Sequence, residues 1–182
     1  WFQPILLAIA GLTMFVGVLA ALGQWTIRRI LSIHIISQIG YMIFGLAIFT
    51  PAALAAGLFA VIHNVVVKTS LFLVAGCGVL TKGTDKLKSV RGLMHHHPVL
   101  AITFLVAAFS LAGFPPTSGF YGKYILAVEG FREGFYFLVA VSLLTSVFTA
   151  TSMVKIWVYS FQGEKPEGPQ EKVRGGLFLT SA

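Results

Sequence analysis

Charge is scarce in this chain, and acidic charge scarcest of all. Its 182 residues include 13 Lys and Arg but 6 Asp and Glu; 10% are charged and 57% hydrophobic. A soluble domain carries about 25% charged residues. With a mean hydropathy of +0.87, the sequence belongs with integral membrane proteins of the helical class. Cysteine is nearly absent. Cys77, the single one, leaves no disulfide framework and no cysteine-built metal centre in this sequence; it lies in an apolar run and reads as a small packing residue. No nucleotide-binding glycine loop, haem-ligand pair or nucleophile motif occurs, so no cofactor and no metal site is expected. The net charge of +7 does not point to nucleic acid, because the basic residues lie in short connectors between apolar runs. No signal peptide is expected in this chain. The sequence opens at Trp1, close to an apolar run, and reads as a piece of a longer protein.

What the chain has instead is long apolar runs, over 5–22, 30–49, 52–80, 98–131 and 134–161, with the start of a further one at 175–182. A bilayer-spanning helix needs about 20 such residues, whereas barrel strands are about ten residues of alternating polarity. The expected fold is therefore all-α: a multi-pass membrane helix bundle, one transmembrane domain over 1–182. Counting Lys and Arg by alternating side places Arg28, Arg29, Lys82, Lys86, Lys88, Arg91, Lys165, Lys172 and Arg174 together and leaves Arg132 alone on the other side. Such asymmetry marks the cytoplasmic side. Loops at 25–29, 81–97 and 162–174 are thus expected in the cytoplasm, with the chain in the cell inner (plasma) membrane and in contact with lipid. Pro166, Gly168 and Pro169 make the last of these a solvated loop.

The fourth run is broken in its middle by Ser110-Leu-Ala-Gly-Phe-Pro-Pro-Thr-Ser-Gly-Phe-Tyr-Gly-Lys123. Pro115 and Pro116 lack N–H groups, so the carbonyls of Leu111 and Ala112 lose their helical partners. The prolines push Phe114 and Pro115 towards extended backbone, and Gly113, Gly119 and Gly122 loosen the chain further. A membrane helix broken at 113–117 follows, its second half starting near Thr117 and carrying Lys123 on its second turn. Bare backbone at that depth requires protein or water to satisfy it, and broken helices line transport paths. An intramembrane ammonium is a candidate functional group; the plainer alternative is a packing kink with Lys123 snorkelling to the interface.

Three other runs carry polar groups. In the second, His34, Ser37, Gln38 and Tyr41 fall at i, i+3, i+4 and i+7, one helical stripe. It reads either as interhelical hydrogen bonding or as a wall of a proton path, since imidazole both accepts and donates. In the third, Asn64 and Lys68 share a face, and Lys68 lies near mid-span, where snorkelling is difficult. His63 and Lys68, five apart, meet only if a π-bulge intervenes. In the fifth, Ser142, Thr145, Ser146 and Thr149 read as packing hydroxyls, and Lys155 as snorkelling. Glu129 is placed to pair with Arg132. His95, His96 and His97 are adjacent, cannot all face one ion on a helix, and read as interfacial. His34, His63, Lys68 and Lys123 remain as membrane-buried bases on three helices, able to hand protons on with water between them.

The Ser110–Lys123 stretch resembles the antiporter-like membrane subunits shared by respiratory complex I and the Mrp-type cation/proton antiporters. So do Ile27-Arg-Arg-Ile-Leu-Ser-Ile-His-Ile-Ile-Ser-Gln-Ile-Gly-Tyr-Met42 and Ile62-His-Asn-Val-Val-Val-Lys-Thr-Ser-Leu-Phe72. The resemblance covers nearly the whole chain, and His34, His63-Asn64, Lys68 and Lys123 are most similar to the D-type branch of the Mrp antiporters. It implies a fold of fourteen helices with two inverted five-helix repeats, of which this chain is the C-terminal part, helices nine to thirteen and the start of the fourteenth. It implies a secondary-transporter subunit rather than an enzyme, exchanging protons for Na+ (or K+) with other subunits of a membrane antiporter complex. A proton-pumping subunit of a complex I-type oxidoreductase or membrane-bound hydrogenase is the alternative. On this resemblance Lys123 matches the lysine of the outer half-channel, and Lys68 and His63 the central polar axis. Trp25 departs from the family, where many members have an acidic residue, and this weakens any ion pair there. A purely structural membrane protein is disfavoured, because a scaffold gains nothing from buried lysines.

Overall fold

The computed structural model describes residues 2–90 and 92–162. Arg91, the remainder of the connector expected over 162–174 and the span start expected at 175–182 lie outside the described residues. Three long helices come first: α1 (Gln3–Leu22), α2 (Ile27–Ile48) and α3 (Pro51–Lys82). Local chemistry sets their ends. Pro51 occupies the first turn of α3, where no N–H is needed, and the Thr50 hydroxyl accepts from the Ala53 amide at 3.2 Å. Gly83, at φ 67°, closes α3 by donating to the Val79 carbonyl. Helix α2 takes in Arg28 and Arg29 as its first turn.

A short α4 (Leu93–His96) precedes two half-length helices, α5 (Pro98–Ala112) and α6 (Ser118–Arg132), and then α7 (Tyr136–Ile156), which runs on into a π-helical turn, Trp157–Phe161. Among the described residues, four segments are long and apolar enough to cross a membrane: Gln3–Leu22, Ile27–Ile48, Pro51–Leu80 and Tyr136–Phe161. Helices α5 and α6 have 15 residues each, about 22 Å at 1.5 Å per residue, so neither matches a hydrocarbon core of about 30 Å alone. Only together do they make one crossing, interrupted between Ala112 and Ser118.

Small residues bring the helices close. A Cβ on Gly17 of α1 would come 2.7 Å from the Ser37 amide nitrogen, and one on Gly40 of α2 would lie 2.9 Å from the Ala10 carbonyl oxygen. Close backbone approach is the usual basis of helix association in lipid. One apolar cluster, with Met14, Phe44 and Leu126 at its centre, joins α1, α2, α3, α6 and α7. A second, with Leu31, Leu71, Phe104 and Ile156, joins α2, α3, α5 and α7 around the loop residues Leu87 and Val90.

The basic connectors meet at one end of the bundle. Thr26 and Lys86 form an isolated antiparallel bridge, Leu87 donates to the Trp25 carbonyl, and Gly92 donates to that of Gln162. Lys155 behaves differently from a snorkelling lysine. Its Nζ donates to the carbonyls of Leu22 at 2.9 Å and Gln24 at 2.7 Å and lies 3.9 Å from the centre of the Trp25 ring. It satisfies the carbonyl end of α1, where the helix dipole favours a cation. At the other end, Glu129 accepts from Arg132 at 2.9 Å and from the Thr50 hydroxyl at 2.6 Å, tying α6 to the α2–α3 turn.

Candidate functional site

The site is built around the break between α5 and α6. Gly113 adopts φ +82° and ends α5, its amide donating to the carbonyls of Phe109 and Ser110. Residues Phe114 to Thr117 then form a tight turn, closed by the Thr117 amide on the Phe114 carbonyl. Neither proline can donate, so the carbonyls of Leu111 and Ala112 are free to bind elsewhere. Both accept from Lys123 Nζ, at 2.9 and 3.1 Å. The second half-helix thus folds its lysine back onto the broken end of the first. That end carries the negative pole of the α5 dipole.

Lys123 also lies over a ring, with Nζ 4.8 Å from the centre of Tyr41 on α2. The Tyr41 hydroxyl in turn donates to the Ser142 carbonyl and lies 2.9 Å from the Ser146 hydroxyl, both on α7. No carboxylate shares this arrangement: the one ion pair among the described residues is Glu129–Arg132. Carbonyl dipoles and a π face, rather than a fixed anion, hold the ammonium. Such a partner set tolerates loss of the proton, because no buried carboxylate is left unpaired when the lysine becomes neutral.

A cavity of about 20 Å³ adjoins Lys123, bounded also by Gln38, Tyr41, His63 and Asn64. That is room for about one water molecule. The amide of Asn64 donates to the Ala60 carbonyl, while its Oδ1 and Gln38 Nε2 have no hydrogen-bond partner among the described residues. Polar groups from three helices therefore converge on one small space.

His63 and Lys68 do not meet. Helix α3 is α-helical throughout Pro51–Lys82, with no π-bulge between them. His63 turns towards the break, its Nε2 2.8 Å from the Ser110 hydroxyl and its ring stacked on Phe59. Lys68 is 7% exposed and donates to the Leu31 carbonyl of α2 at 3.0 Å, one turn before His34. His34 itself is fully buried. Its carbonyl accepts from the Ser37 hydroxyl at 3.0 Å, and its Nε2 has no partner among the described residues. The sequence-derived residues thus separate: Lys123, His63, Asn64, Gln38 and Tyr41 surround the cavity, Lys68 bridges α3 to α2, and His34 and Ser37 are buried on α2, Ser37 against Gly17 of α1.

Sequence reasoning passes over two participants. Ser110 and Ser118 flank the break, and their hydroxyls are 3.2 Å apart; only the fold of the turn joins them. Ser146, which reads in the sequence as one of four packing hydroxyls, also contacts Tyr41. Two others of the four fit packing: Ser142 donates to the Val139 carbonyl and Thr149 to that of Thr145, each within α7.

A multi-pass helical bundle with a helix interrupted beside a half-buried lysine is an arrangement found in membrane transporters. The family model for the transmembrane region of NADH:quinone oxidoreductase and the Mrp antiporter matches residues 1–149, and the chain belongs to that family. The D-type Na+/H+ antiporter subunit of Alkalihalophilus pseudofirmus is 47% identical over 163 residues, which are 90% of this chain and 33% of that protein. The Mrp complex of Dietzia sp. contains a chain that superposes with a TM-score of 0.89 at 36% identity, over all of this chain and 34% of its own length. A chain of respiratory complex I from Thermus thermophilus has the same fold, with a TM-score of 0.87 at 24% identity over 99% of this chain and 39% of its own. This chain spans about a third of the length of the relatives it matches.

Proposed function

We propose that this chain forms the C-terminal helices of a proton-translocating subunit in a multisubunit Na+/H+ antiporter, in which protons move over Lys123, His63, Lys68 and His34 with water between them. The observation that carries the reading is the seat of Lys123: an ammonium held by two carbonyls freed by Pro115 and Pro116, beside a polar cavity and with no carboxylate partner among the described residues. A lysine so held can release and regain a proton while its partners remain satisfied. His63 and the Asn64 and Gln38 amides extend the polar surface from it. On this reading, gain of a cation along the path favours release of the Lys123 proton, and its departure favours uptake, through repulsion between like charges at short range.

The rest of the same subunit would supply the remainder of the path, and other subunits of the complex would assemble with it. The chain would sit in the inner (plasma) membrane with residues 25–29, 81–97 and 162–174 on the cytoplasmic side. The meeting of Thr26, Lys86 and Gln162 at one end of the bundle supports a common side for these segments. The alternative, a proton-pumping subunit of a complex I-type oxidoreductase, is supported by the family model, which takes in NADH:quinone oxidoreductase as well as the Mrp antiporter. The two are separated by reconstituting the full-length subunit with its complex in proteoliposomes carrying a preset pH gradient. Antiport predicts that added Na+ discharges the gradient with no electron donor present. A complex that moves protons only while a donor is oxidised is a pump.

A further inference from the structure

We infer that Ser110 is a further relay residue of this site, passing protons between His63 and the helix break by way of Ser118. The inference rests on the proton-transfer reading above and extends it to a route that leaves the cavity through the break itself.

The geometry is continuous. The His63 ring lines the cavity shared with Lys123 and Tyr41, and its Nε2 is 2.8 Å from the Ser110 hydroxyl. That hydroxyl is 3.2 Å from Ser118 Oγ. Ser110 is 6% exposed, in the last turn of α5; Ser118 opens α6 and is exposed in the described chain. Three hydrogen-bonding groups therefore lead from the cavity wall to the exposed start of α6.

Ser110 also differs from the helical threonines that bond within their own helix. Thr69, Thr103 and Thr151 each donate to the carbonyl four residues back in their own helix, the usual way of satisfying such a group in lipid. Ser110 instead contacts two groups on other elements. Gly119 makes this possible: a Cβ there would overlap the Ser110 carbonyl oxygen and lie 3.0 Å from His63 Nε2. Only a bare backbone lets α6 approach the His63–Ser110 pair so closely.

A hydroxyl suits this position because it accepts one hydrogen bond while donating another. In the outward step His63, protonated on both ring nitrogens after uptake from the cavity, gives its Nε2 proton to Ser110 Oγ, while the proton Ser110 already held passes to Ser118 Oγ and the proton Ser118 held passes to water at the break. His63 becomes one proton poorer and both serines end with the single proton they began with. Rotation of the two hydroxyls restores the starting orientation. The titratable neighbours of His63 are Lys123 and Tyr41 across the cavity and Lys68 on its own helix.

The test uses the full-length subunit in its assembled complex, in inverted vesicles, measuring cation-driven proton flux per assembled complex from pH 6 to 9, with Lys123→Ala as the reference. Ser110→Ala removes one oxygen and should lower flux roughly tenfold, somewhat less than the usual loss of a positioned proton-transfer group, and displace the pH profile. Ser110→Thr keeps the hydroxyl and should restore both. Wild-type flux and profile in Ser110→Ala, with Lys123→Ala inactive, would overturn the relay and leave the proposed function standing. Assembled Ser110→Thr no better than Ser110→Ala would also overturn it, since size rather than the hydroxyl would then matter. An active Lys123→Ala would remove the proposed function and this inference together.

Discussion

Lys123 Nζ donates to the carbonyl of Leu111 at 2.9 Å, and Leu111 is the residue whose helical partner would have been the missing N–H of Pro115. The break and the lysine are thus one device. Proline withdraws a donor from the backbone, and a side chain twelve residues on replaces it with a donor that can lose its proton. The same holds for Ala112 and Pro116 at 3.1 Å.

Gly113 should tolerate no side chain. Its φ of +82° disfavours any L residue, and a Cβ there would lie 2.9 Å from Lys123 Cδ. Gly113→Ala is expected to cost about 1–2 kcal/mol from backbone strain alone and to displace Lys123 from its carbonyls. Thermal stability of the detergent-solubilised complex and flux per complex should both fall.

The ring and the hydroxyl of Tyr41 have separable roles. Tyr41→Phe keeps the π face over Lys123 and loses the contacts to Ser142 and Ser146, a change of about 1 kcal/mol in stability. Tyr41→Leu loses the face as well. A desolvated cation–π contact is worth about 2 kcal/mol, so flux in Tyr41→Leu should fall well below that in Tyr41→Phe. Equal flux in the two variants would remove the ring from the account.

Lys155 is expected to be structural. Its bonds to Leu22 and Gln24 and its contact with Trp25 tie α7 to the end of α1. Lys155→Met should lower stability by about 1–2 kcal/mol while flux per assembled complex stays at the wild-type level. Loss of flux in fully assembled Lys155→Met would give this lysine a transport role.

Much of this is legible in the sequence, because prolines and intramembrane charges act through local rules. Pro115 and Pro116 mark both the break and the two carbonyls that need a donor. The i, i+3, i+4, i+7 spacing puts His34, Ser37, Gln38 and Tyr41 on one face, and all four are buried. Contacts made by folding at a distance are not legible in this way. The spacing of His63 and Lys68 leaves open a meeting through a π-bulge; the regular α3 sends them to Ser110 and Leu31 instead. Trp25 suggests a weakened ion pair, since periodicity says nothing about ring faces. In the fold its ring receives Lys155 at 3.9 Å and Lys88 at 5.0 Å.

Topology can be checked independently of transport. With the 81–97 loop in the cytoplasm, a cysteine replacing the exposed Lys86 in a cysteine-free background should resist an impermeant thiol reagent applied outside intact cells and react once the cells are opened. Ready labelling in sealed cells would invert the orientation.

The most direct test of the account compares Lys123→Arg with Lys123→Ala, scored as cation-dependent proton flux in inverted vesicles and normalised to assembled complex. Arginine keeps the positive charge but does not deprotonate in a protein, whereas alanine removes both charge and proton. A lysine that carries protons predicts flux near background in both variants, with the complex assembled in each. Wild-type flux in Lys123→Arg would contradict the account: Lys123 would then be a fixed charge, and the proton path would have to run through Lys68 and His63 without it.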